Sequence, residues 1–409
     1  MKLWIKFLIG IGIGLISSIF FPISSVQSTE ILNFVVDLVI RFGRYTLLPF
    51  LFFSCAVAFF RLRDEKMLLK TTSWTIGIII SSSFLMVILG LITALLVNLP
   101  RIPITTEKVN EVASFSWRNL FVKIFPYSGF EVLLDGAYLF PCFVFAGLAG
   151  AGAAVDKNAS KAAMNLFESM SQVCYTAMSF FTEILFIGMI VVMCRWTMDF
   201  TTAVNLKSYN SLIVLLLVNL LIIAFVIYPL VLRFLCHDSH PYRVLYASLC
   251  PFIVAFFSGD TNLTLALNLR HGKESLGIKS RVNSFAYPLL SIFGRGGSIM
   301  VQTICFVLIL RSYSSLGISF ADTIWIGGIS FILSFALAEI PVGGPFVAIT
   351  VMCMLYGRGF ESGYLLLKNV APIICAYAAG IDALTSMFGS YIIAVKTKSI
   401  QHQEIKKFI

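Results

Sequence analysis

Apolar runs long enough to cross a lipid bilayer recur from one end of this chain to the other, and they restrict its fold more than any motif does. A helix needs about 20 residues to cross the hydrocarbon core. Of the 409 residues, 58% are hydrophobic and 12% are charged, whereas soluble domains carry about 25% charged residues. We therefore predict an all-α polytopic membrane protein. The eight predicted transmembrane helices are Leu3–Phe21, Ile31–Phe60, Ser73–Leu99, Leu134–Val155, Met164–Met193, Leu212–Leu235, Phe285–Leu310 and Val370–Val395.

Two further apolar stretches, 245–269 and 324–355, are interrupted near their centres. The first is broken by Ser258-Gly-Asp-Thr-Asn-Leu-Thr264 and the second by Glu339-Ile-Pro-Val-Gly-Gly-Pro345. Each arm has about a dozen residues and reaches only part-way through the hydrocarbon core, so each stretch is predicted to form a re-entrant helical hairpin. A pair of interrupted segments in corresponding positions is typical of a transporter with its binding site near the bilayer midplane.

The net charge of +10 resides mainly in short loops and at the end of the chain, a distribution that indicates membrane topology and no nucleic-acid partner. Basic clusters follow the second, fourth and sixth predicted spans and precede the seventh. With eight spans these clusters share one side, which is predicted to be cytoplasmic together with both termini. The loop 100–125 carries four basic residues on the other side as an exception. Arg41 and Arg44 are interpreted as interfacial side chains at a helix end.

The sequence contains no enzyme signature, such as a phosphate-binding loop, a GxSxG motif or an HExxH motif. The nine cysteines have no CxxC spacing and are interpreted as small hydrophobic residues, while the four histidines lie in polar flanks. No metal centre or other cofactor is predicted beyond a coupling ion, Na+ or H+. The apolar N-terminal segment is interpreted as a retained first span, not a signal peptide. The expected location is the inner or plasma membrane.

A cationic side chain, Arg295, lies inside the predicted seventh span, in Ser291-Ile-Phe-Gly-Arg-Gly-Gly-Ser-Ile-Met300. At membrane depth, glycine-rich backbone and charge are tolerated only where protein packs on them or a polar cavity borders them. Because an unpaired buried charge costs more than a pair, Arg295 is predicted to face Asp260 or to share an aqueous cavity with it. Three interpretations stay open: a structural ion pair, a ligand for a substrate carboxylate, or a fixed cation where a sodium ion would otherwise bind.

The order of six spans, a hairpin, a span, a second hairpin and a last span resembles the dicarboxylate/amino acid:cation symporter family, the glutamate transporter homologues. Local similarities extend through most of the chain. They are Leu120–Ala154 for the fourth-span region, Leu269-Arg-His-Gly-Lys-Glu-Ser-Leu-Gly-Ile278 with Ser284-Phe-Ala-Tyr-Pro-Leu289 for the link to the seventh span, and Ala379-Gly-Ile-Asp-Ala383 with Ala394-Val-Lys-Thr397 for the eighth span.

The site motifs depart from that family's pattern. The seventh-span Asn-Met-Asp-Gly-Thr corresponds here to Gly294-Arg-Gly-Gly-Ser298, and the second-hairpin Gly-Val-Pro-Gly-Ala-Gly corresponds to Glu339-Ile-Pro-Val-Gly-Gly344. The serine-rich tip of the first hairpin becomes Asp260-Thr-Asn-Leu-Thr264. The arginine and the two terminal carboxylates of the family's eighth span have no counterpart. Proton coupling or uncoupled exchange therefore stands beside sodium coupling as an expectation.

The resemblance implies a homotrimer that transports by an elevator movement. Residues 1–236 would hold six helices, of which helices 1, 2, 4 and 5 form the scaffold. Residues 237–409, with helices 3 and 6, would form the moving transport core. The expected substrate-binding residues lie at the hairpin tips and in the last two spans: Asp260, Thr261, Asn262, Arg295, Ser298, Val342, Gly343, Ser386 and Ser390. The expected ion-binding residues are Gly294, Gly296 and Asp382.

The predicted function is secondary transport of small carboxylates, either dicarboxylates or acidic or neutral amino acids. Half-helix N-termini at the hairpin tips would present NH groups to an anionic group of the solute. The alternatives are a sodium-independent exchanger and a non-transporting, receptor-like homologue, with an anion channel ranked below both. Saturable uptake would exclude the channel.

Overall fold

The computed structural model describes residues 2–20, 26–97, 99–103, 117–238, 240–313, 317–401 and 403–409. Within them it contains α-helices joined by short turns and by 3-10 and π segments. Parts of the predicted first span (Phe21) and of the loop 100–125 lie outside the described residues. The helices are α1 (Leu3–Phe20), α2 (Val26–Arg44), α3 (Leu47–Asp64), α4 (Leu68–Leu96), α5 (Trp117–Ile124), α6 (Phe140–Ala153), α7 (Lys157–Asn205), α8 (Asn210–Ile222), α9 (Tyr228–Cys236), α10 (Tyr242–Ser258), α11 (Thr261–Glu274), α12 (Ser280–Phe293), α13 (Gly296–Tyr313), α14 (Phe320–Ala336), α15 (Gly344–Tyr356) and α16 (Ala371–Lys396).

The predicted fold class is confirmed: the described part of the chain has eight helical segments that are long and apolar enough to cross a membrane. One predicted span, Leu134–Val155, is wrong. An Asp135–Gly136 turn, in which the Ala137 NH donates to Asp135 Oδ1 at 2.8 Å, delays the start of the helix. The remaining helix, α6, has 14 residues and spans about 21 Å. The eight candidate spans instead include Phe320–Glu339, the first arm of the second hairpin.

Prolines explain two interruptions in the N-terminal half. The predicted span 31–60 is divided into α2 and α3 at Tyr45–Thr46, because the ring of Pro49 clashes with the carbonyl four residues earlier, at Tyr45. The predicted span 212–235 contains a π-helical turn, Ile223–Ile227, between α8 and α9. Pro229 follows that turn, which accommodates the missing NH group.

Both interrupted stretches form helical hairpins with their breaks at the predicted positions. Gly259, at φ +65°, ends α10, and Asp260 caps α11. In the second hairpin a 3-10 turn and Gly343, at φ +72°, separate α14 from α15. The two tips meet in an antiparallel bridge between Asp260 and Val342. The tips therefore form one local structure although about 80 residues separate them.

The predicted seventh span is also broken, into α12 and α13, at Gly294–Arg295. This segment lies in the protein interior: 94% of the apolar window within Ser280–Tyr313 is buried, compared with 33% for Leu3–Phe20. The last helix, α16, packs along both α12 and α13. The charge of Arg295 and the non-helical backbone beside it are therefore packed in protein. At membrane depth, charge and non-helical backbone are tolerated only where protein or a polar cavity surrounds them.

Candidate functional site at the broken helix

The carboxylate of Asp382, in the middle of α16, caps the start of α13. Asp382 Oδ1 accepts hydrogen bonds from the NH groups of Gly297 at 2.7 Å and Ser298 at 3.1 Å, and Oδ2 accepts one from the Ser298 hydroxyl at 2.6 Å. The first NH groups of a helix lack partners within the helix, and a carboxylate also stabilises the positive end of the helix dipole. Asp382 thus supplies from a neighbouring helix the cap that the glycines of α13 lack.

Arg295 lies between the two helix ends at the break. Its Nε donates to the carbonyl of Ile292, at the end of α12, at 3.3 Å, and its Nη1 lies 4.0 Å from Asp382 Oδ2. The side chain is 3% exposed, so protein groups and not water must compensate its charge. Charges alternate across the break: the negative end of α12, the guanidinium, the carboxylate of Asp382 and the positive end of α13.

Glycine at position 297 is required by how closely α13 approaches α16. A Cβ atom at this position would overlap the carbonyl oxygen of Ala378 and lie 2.6 Å from Cβ of Ile381. Gly296 is less restricted, since a Cβ there would meet Thr385 Oγ1 at 3.1 Å. Gly294 ends α12, its NH donating to the Leu290 carbonyl at 2.8 Å. The glycines around Arg295 therefore permit close helix contact and a helix end.

Asp260, at the tip of the first hairpin, pairs with Arg44 at the end of α2. Its Oδ1 also accepts from the NH groups of Asn262 at 2.9 Å and Leu263 at 3.1 Å. The expected direct pair of Asp260 with Arg295 is not formed, because the break between α2 and α3 brings Arg44 to the hairpin tip and Asp382 lies closer to Arg295. The expected free anion site at the N-terminus of α11 is likewise filled, since Asp260 accepts those NH groups itself.

Hydrogen bonds join the hairpin tips to the broken helix. The NH and hydroxyl groups of Thr261 both donate to the Pro341 carbonyl at 3.3 Å. The hydroxyl of Ser291, in the last turn of α12, donates to the Thr261 carbonyl at 3.3 Å. The Asn262 amide donates to the Ala137 carbonyl at 2.8 Å, which fixes the tip to the turn before α6. Both tips and the end of α12 consequently form one connected unit.

The second hairpin tip is the more exposed of the two. Val342 is 47% exposed, whereas Asp260 is completely buried. Gly343 begins the turn into α15 with a positive φ, a conformation that glycine adopts at little cost. Glu339, just before the tip, pairs with Lys123 of α5. The tip therefore combines an exposed apolar side chain with a charged contact to α5.

The sequence that folds into two hairpins beside a broken helix matches one known family over nearly the whole chain. Residues 3–399 match the family described as Sodium:dicarboxylate symporter family. The chain belongs to this family. No individual curated protein gives a significant match. Members of the symporter family are transporters and not enzymes, and membership implies cation-coupled symport of dicarboxylates or amino acids by a multi-pass membrane protein.

The hydroxyl groups of α16 in this symporter family member differ in their positions. Ser386 donates back to the Asp382 carbonyl at 3.0 Å, and Thr385 shares a hydrogen bond of 2.5 Å with the Tyr228 hydroxyl. The buried Ser390 Oγ has no hydrogen-bond partner among the described residues. Ser390 follows Asp382 by eight residues, about 12 Å along the helix axis. The structure therefore places Ser386 one turn and Ser390 about two turns along α16 from Asp382.

Arg44 is the residue at this site that the sequence analysis placed wrongly. Interpreted as an interfacial side chain, it instead reaches a buried carboxylate with a side chain 20% exposed. Pro49 is the sequence feature that could have predicted the position of Arg44. A proline there breaks the helix about one turn earlier, which ends α2 inside the protein. With Arg44 included, two arginines and two aspartates surround the break, and their formal charges cancel.

Proposed function

We propose that this protein is a secondary transporter that carries small carboxylates across the membrane by an elevator movement. The observation that supports this best is the junction of both hairpin tips with the break in α12–α13 around the buried Arg295. A guanidinium offers several donors in a planar fork and suits a carboxylate ligand. Solutes that fit this chemistry are dicarboxylates and acidic or neutral amino acids.

In the proposed movement the hairpins, α4, α8, α9, α12, α13 and α16 slide together against a scaffold of α1, α2, α3, α6 and α7. Polar contacts cross this boundary. Arg270 of α11 donates to Glu183 Oε1 at 2.8 Å and to the Thr182 hydroxyl at 3.0 Å, both in α7. Arg281 of α12 pairs with Glu65, just after α3. These contacts must exchange for other partners as the core slides, so they set part of the barrier.

The proposal includes assembly as a homotrimer with both chain termini on the cytoplasmic side, in agreement with the basic clusters of the sequence. Coupling to Na+ or H+ is the family's expectation for the transport step. The second hairpin, with its exposed tip, is the part that would open toward the solute.

A non-transporting, receptor-like homologue is the second candidate function. It is favoured by the partners that two polar side chains at the first hairpin tip already have: Asp260 pairs with Arg44, and Asn262 donates to the Ala137 carbonyl. A receptor of this kind would bind a carboxylate without moving it. Binding with no uptake would therefore support this second candidate.

Uptake by purified protein in proteoliposomes tests the proposal. Radiolabelled aspartate, glutamate, alanine, succinate and malate are offered in turn, with an inward gradient of Na+, of H+ or of neither. Saturable accumulation of at least one of these solutes is expected. Failure of all five, with intact folded protein in the membrane, would contradict the transport function.

Arg295→Ala tests the role of the guanidinium in the same assay. Binding and uptake of anionic solutes are expected to fall by at least about tenfold, the effect of losing about 1.4 kcal/mol of a charge-assisted interaction. Arg311→Ala, at the end of α13, is the matched control because Arg311 donates to the carbonyls of Val97 and Leu95 away from the break. Wild-type uptake by the Arg295→Ala protein would remove the guanidinium from the solute site.

A further inference from the structure

We propose that the Arg295 guanidinium is a fixed cation in place of the sodium ion that the symporter family implies, so that the broken helix needs no sodium at this point. The inference rests on the proposed function and adds to it by assigning the group that supplies the positive charge at the site. It concerns only the break between α12 and α13 and the carboxylate of Asp382 that faces it.

A bound sodium ion requires oxygen ligands with free lone pairs and a space with negative potential. Helix C-terminal carbonyls together with a carboxylate form such a site in transporters with broken helices. Both elements occur here: the Ile292 carbonyl at the end of α12 and the carboxylate of Asp382. Arg295 lies between them, with Nε on the carbonyl and Nη1 4.0 Å from the carboxylate. The position that a sodium ion would take is filled by the side chain.

The donor set excludes sodium for a second reason. The two oxygens of Asp382 already accept three hydrogen bonds from α13, from Gly297 NH, Ser298 NH and Ser298 Oγ. Arg295 and Arg44 bring two positive charges to the break, which Asp382 and Asp260 balance. Without an anionic solute, a sodium ion added to this neutral set would leave a net positive charge among buried groups, which is costly. The residues present therefore do not fit the ion.

The geometry also shows what removing the guanidinium should create. Arg295→Met retains an unbranched side chain but leaves the Asp382 carboxylate without its cation. The Ser298 hydroxyl, the Ile292 carbonyl and Asp382 Oδ2 would then surround a space with negative potential. Asp260 Oδ2, which is buried at the hairpin tip without a hydrogen-bond partner among the described groups, adds to the negative potential of this region. Oxygen ligands of this kind suit a hard cation.

The experiment measures sodium binding without any solute. Thermal unfolding of the detergent-purified full chain is followed in increasing sodium chloride, with choline chloride holding the ionic strength constant, and radioactive sodium binding is measured in parallel. Wild type and Arg295→Lys, which keeps the charge, are expected to melt at the same temperature in both salts. Arg295→Met is expected to gain a saturable, sodium-specific rise in melting temperature together with bound radioactive sodium. The double variant Arg295→Met/Asp382→Asn is expected to lose both.

The proposal is overturned if wild type binds sodium in a saturable manner that Asp382→Asn abolishes, or if folded Arg295→Met gains no sodium binding. If Arg295→Met does not fold, Arg295→Gln replaces it with the same expectations. Uptake measurements separate this inference from the proposed function. Wild-type uptake that is equal in sodium and choline supports the fixed cation, whereas absence of all uptake contradicts transport and leaves the sodium-binding comparison to decide the role of Arg295.

Discussion

Arg44 and Asp260 join the end of α2 to the tip of the first hairpin by a buried ion pair. The side chain of Asp260 is completely buried, so it depends on Arg44 and on two NH groups of α11 for compensation. Removing one partner of a buried pair leaves an uncompensated charge and costs far more than the net stabilisation that the intact pair provides. At the residue scale this pair is therefore a sensitive point of the fold.

Arg44→Met is expected to lower the free energy of unfolding by about 3–5 kcal/mol, because the carboxylate of Asp260 stays buried without its cation. Arg41→Met is the matched control: Arg41 pairs with Asp37 on the same helix, with its side chain 76% exposed. Such an exposed pair contributes about 0–1 kcal/mol. Thermal and denaturant unfolding in detergent measure both variants. Equal losses in the two variants would contradict the special role of Arg44.

Asp238, in the turn between α9 and α10, makes stability depend on pH. Burial raises the pKa of this carboxyl, but hydrogen bonds from the Tyr391 hydroxyl at 2.6 Å and the His240 NH at 2.9 Å, with the charge of Arg243, outweigh it and hold the pKa below the ordinary 3.8. A lowered pKa in the folded state stabilises the protein above the unfolded-state pKa.

This stabilisation is expected to be lost as the pH falls from the ordinary aspartate pKa through the lower value of the folded protein, when the carboxylate that holds α16 to the turn is protonated. Asp238→Asn is expected to remove that part of the pH dependence. Melting temperature between pH 7 and pH 3 measures it, with Asp64→Asn, which alters an exposed pair with Lys157, as the control. An unchanged profile in Asp238→Asn would contradict the assignment.

At the scale of elements, the close contact of α13 with α16 positions Asp382 as a cap. The backbones can approach because Gly297 has no side chain, and a Cβ there would overlap the Ala378 carbonyl oxygen. The same approach brings the NH groups of Gly297 and Ser298 within hydrogen-bond distance of Asp382. The glycine and the carboxylate therefore act together: one allows the helices to meet, and the other satisfies the exposed helix end.

Gly297→Ala is expected to destabilise the protein by about 1–3 kcal/mol, the usual result of adding a methyl group to a packed contact. Gly77→Ala in α4 is the matched control, since no atom lies within 4 Å of a Cβ at that position. Alanine there is expected to be neutral or to stabilise the helix by up to about 1 kcal/mol. Unfolding measurements compare the two. A neutral Gly297→Ala would mean that α13 and α16 separate without cost.

At the scale of the whole molecule, the contacts between α2, α7 and α11 determine whether the proposed core can move. Gly43 of α2 faces Leu263 of α11, so that a Cβ at Gly43 would overlap the leucine side chain. Val39 of α2 and Gly188 of α7 make a similar close contact within the proposed scaffold. Each pair has one residue on α2. The other residue belongs to the proposed moving core in the first pair and to the proposed scaffold in the second.

A disulfide or mercury bridge in Gly43→Cys/Leu263→Cys is expected to reduce uptake at least about tenfold, because the elevator movement requires α11 to slide along α2. The same bridge in Val39→Cys/Gly188→Cys is expected to leave uptake unchanged. Uptake in proteoliposomes is measured before bridging, after it and after reduction, with each single cysteine variant as a control. Full uptake with the first bridge formed would contradict an elevator along this interface.

Hydrophobic patterning predicted the all-helical membrane fold and the two hairpins, because crossing a bilayer requires apolar length and allows few architectures. It failed for 134–155, where a short Asp–Gly turn stands in place of the first helical turn. Hydropathy alone does not distinguish such a turn from a turn of helix. At the site, the residues Arg295, Ser298 and Asp382 were named from the sequence and lie together in the structure, with Ser386 one turn further along α16. Hydrophobic patterning could not predict which aspartate pairs with Arg44 and which with Arg295.

The sequence by itself determined that this chain spans a membrane, has two interrupted hairpins and carries a charge in its seventh span, since these properties depend on local length and composition. Only the tertiary structure decided that Asp382 and not Asp260 accompanies Arg295, and that Arg44 reaches the hairpin tip. The physical reason is that ion pairs and helix caps between distant segments depend on which helix surfaces meet. That choice follows from packing around glycines and proline breaks across the whole chain.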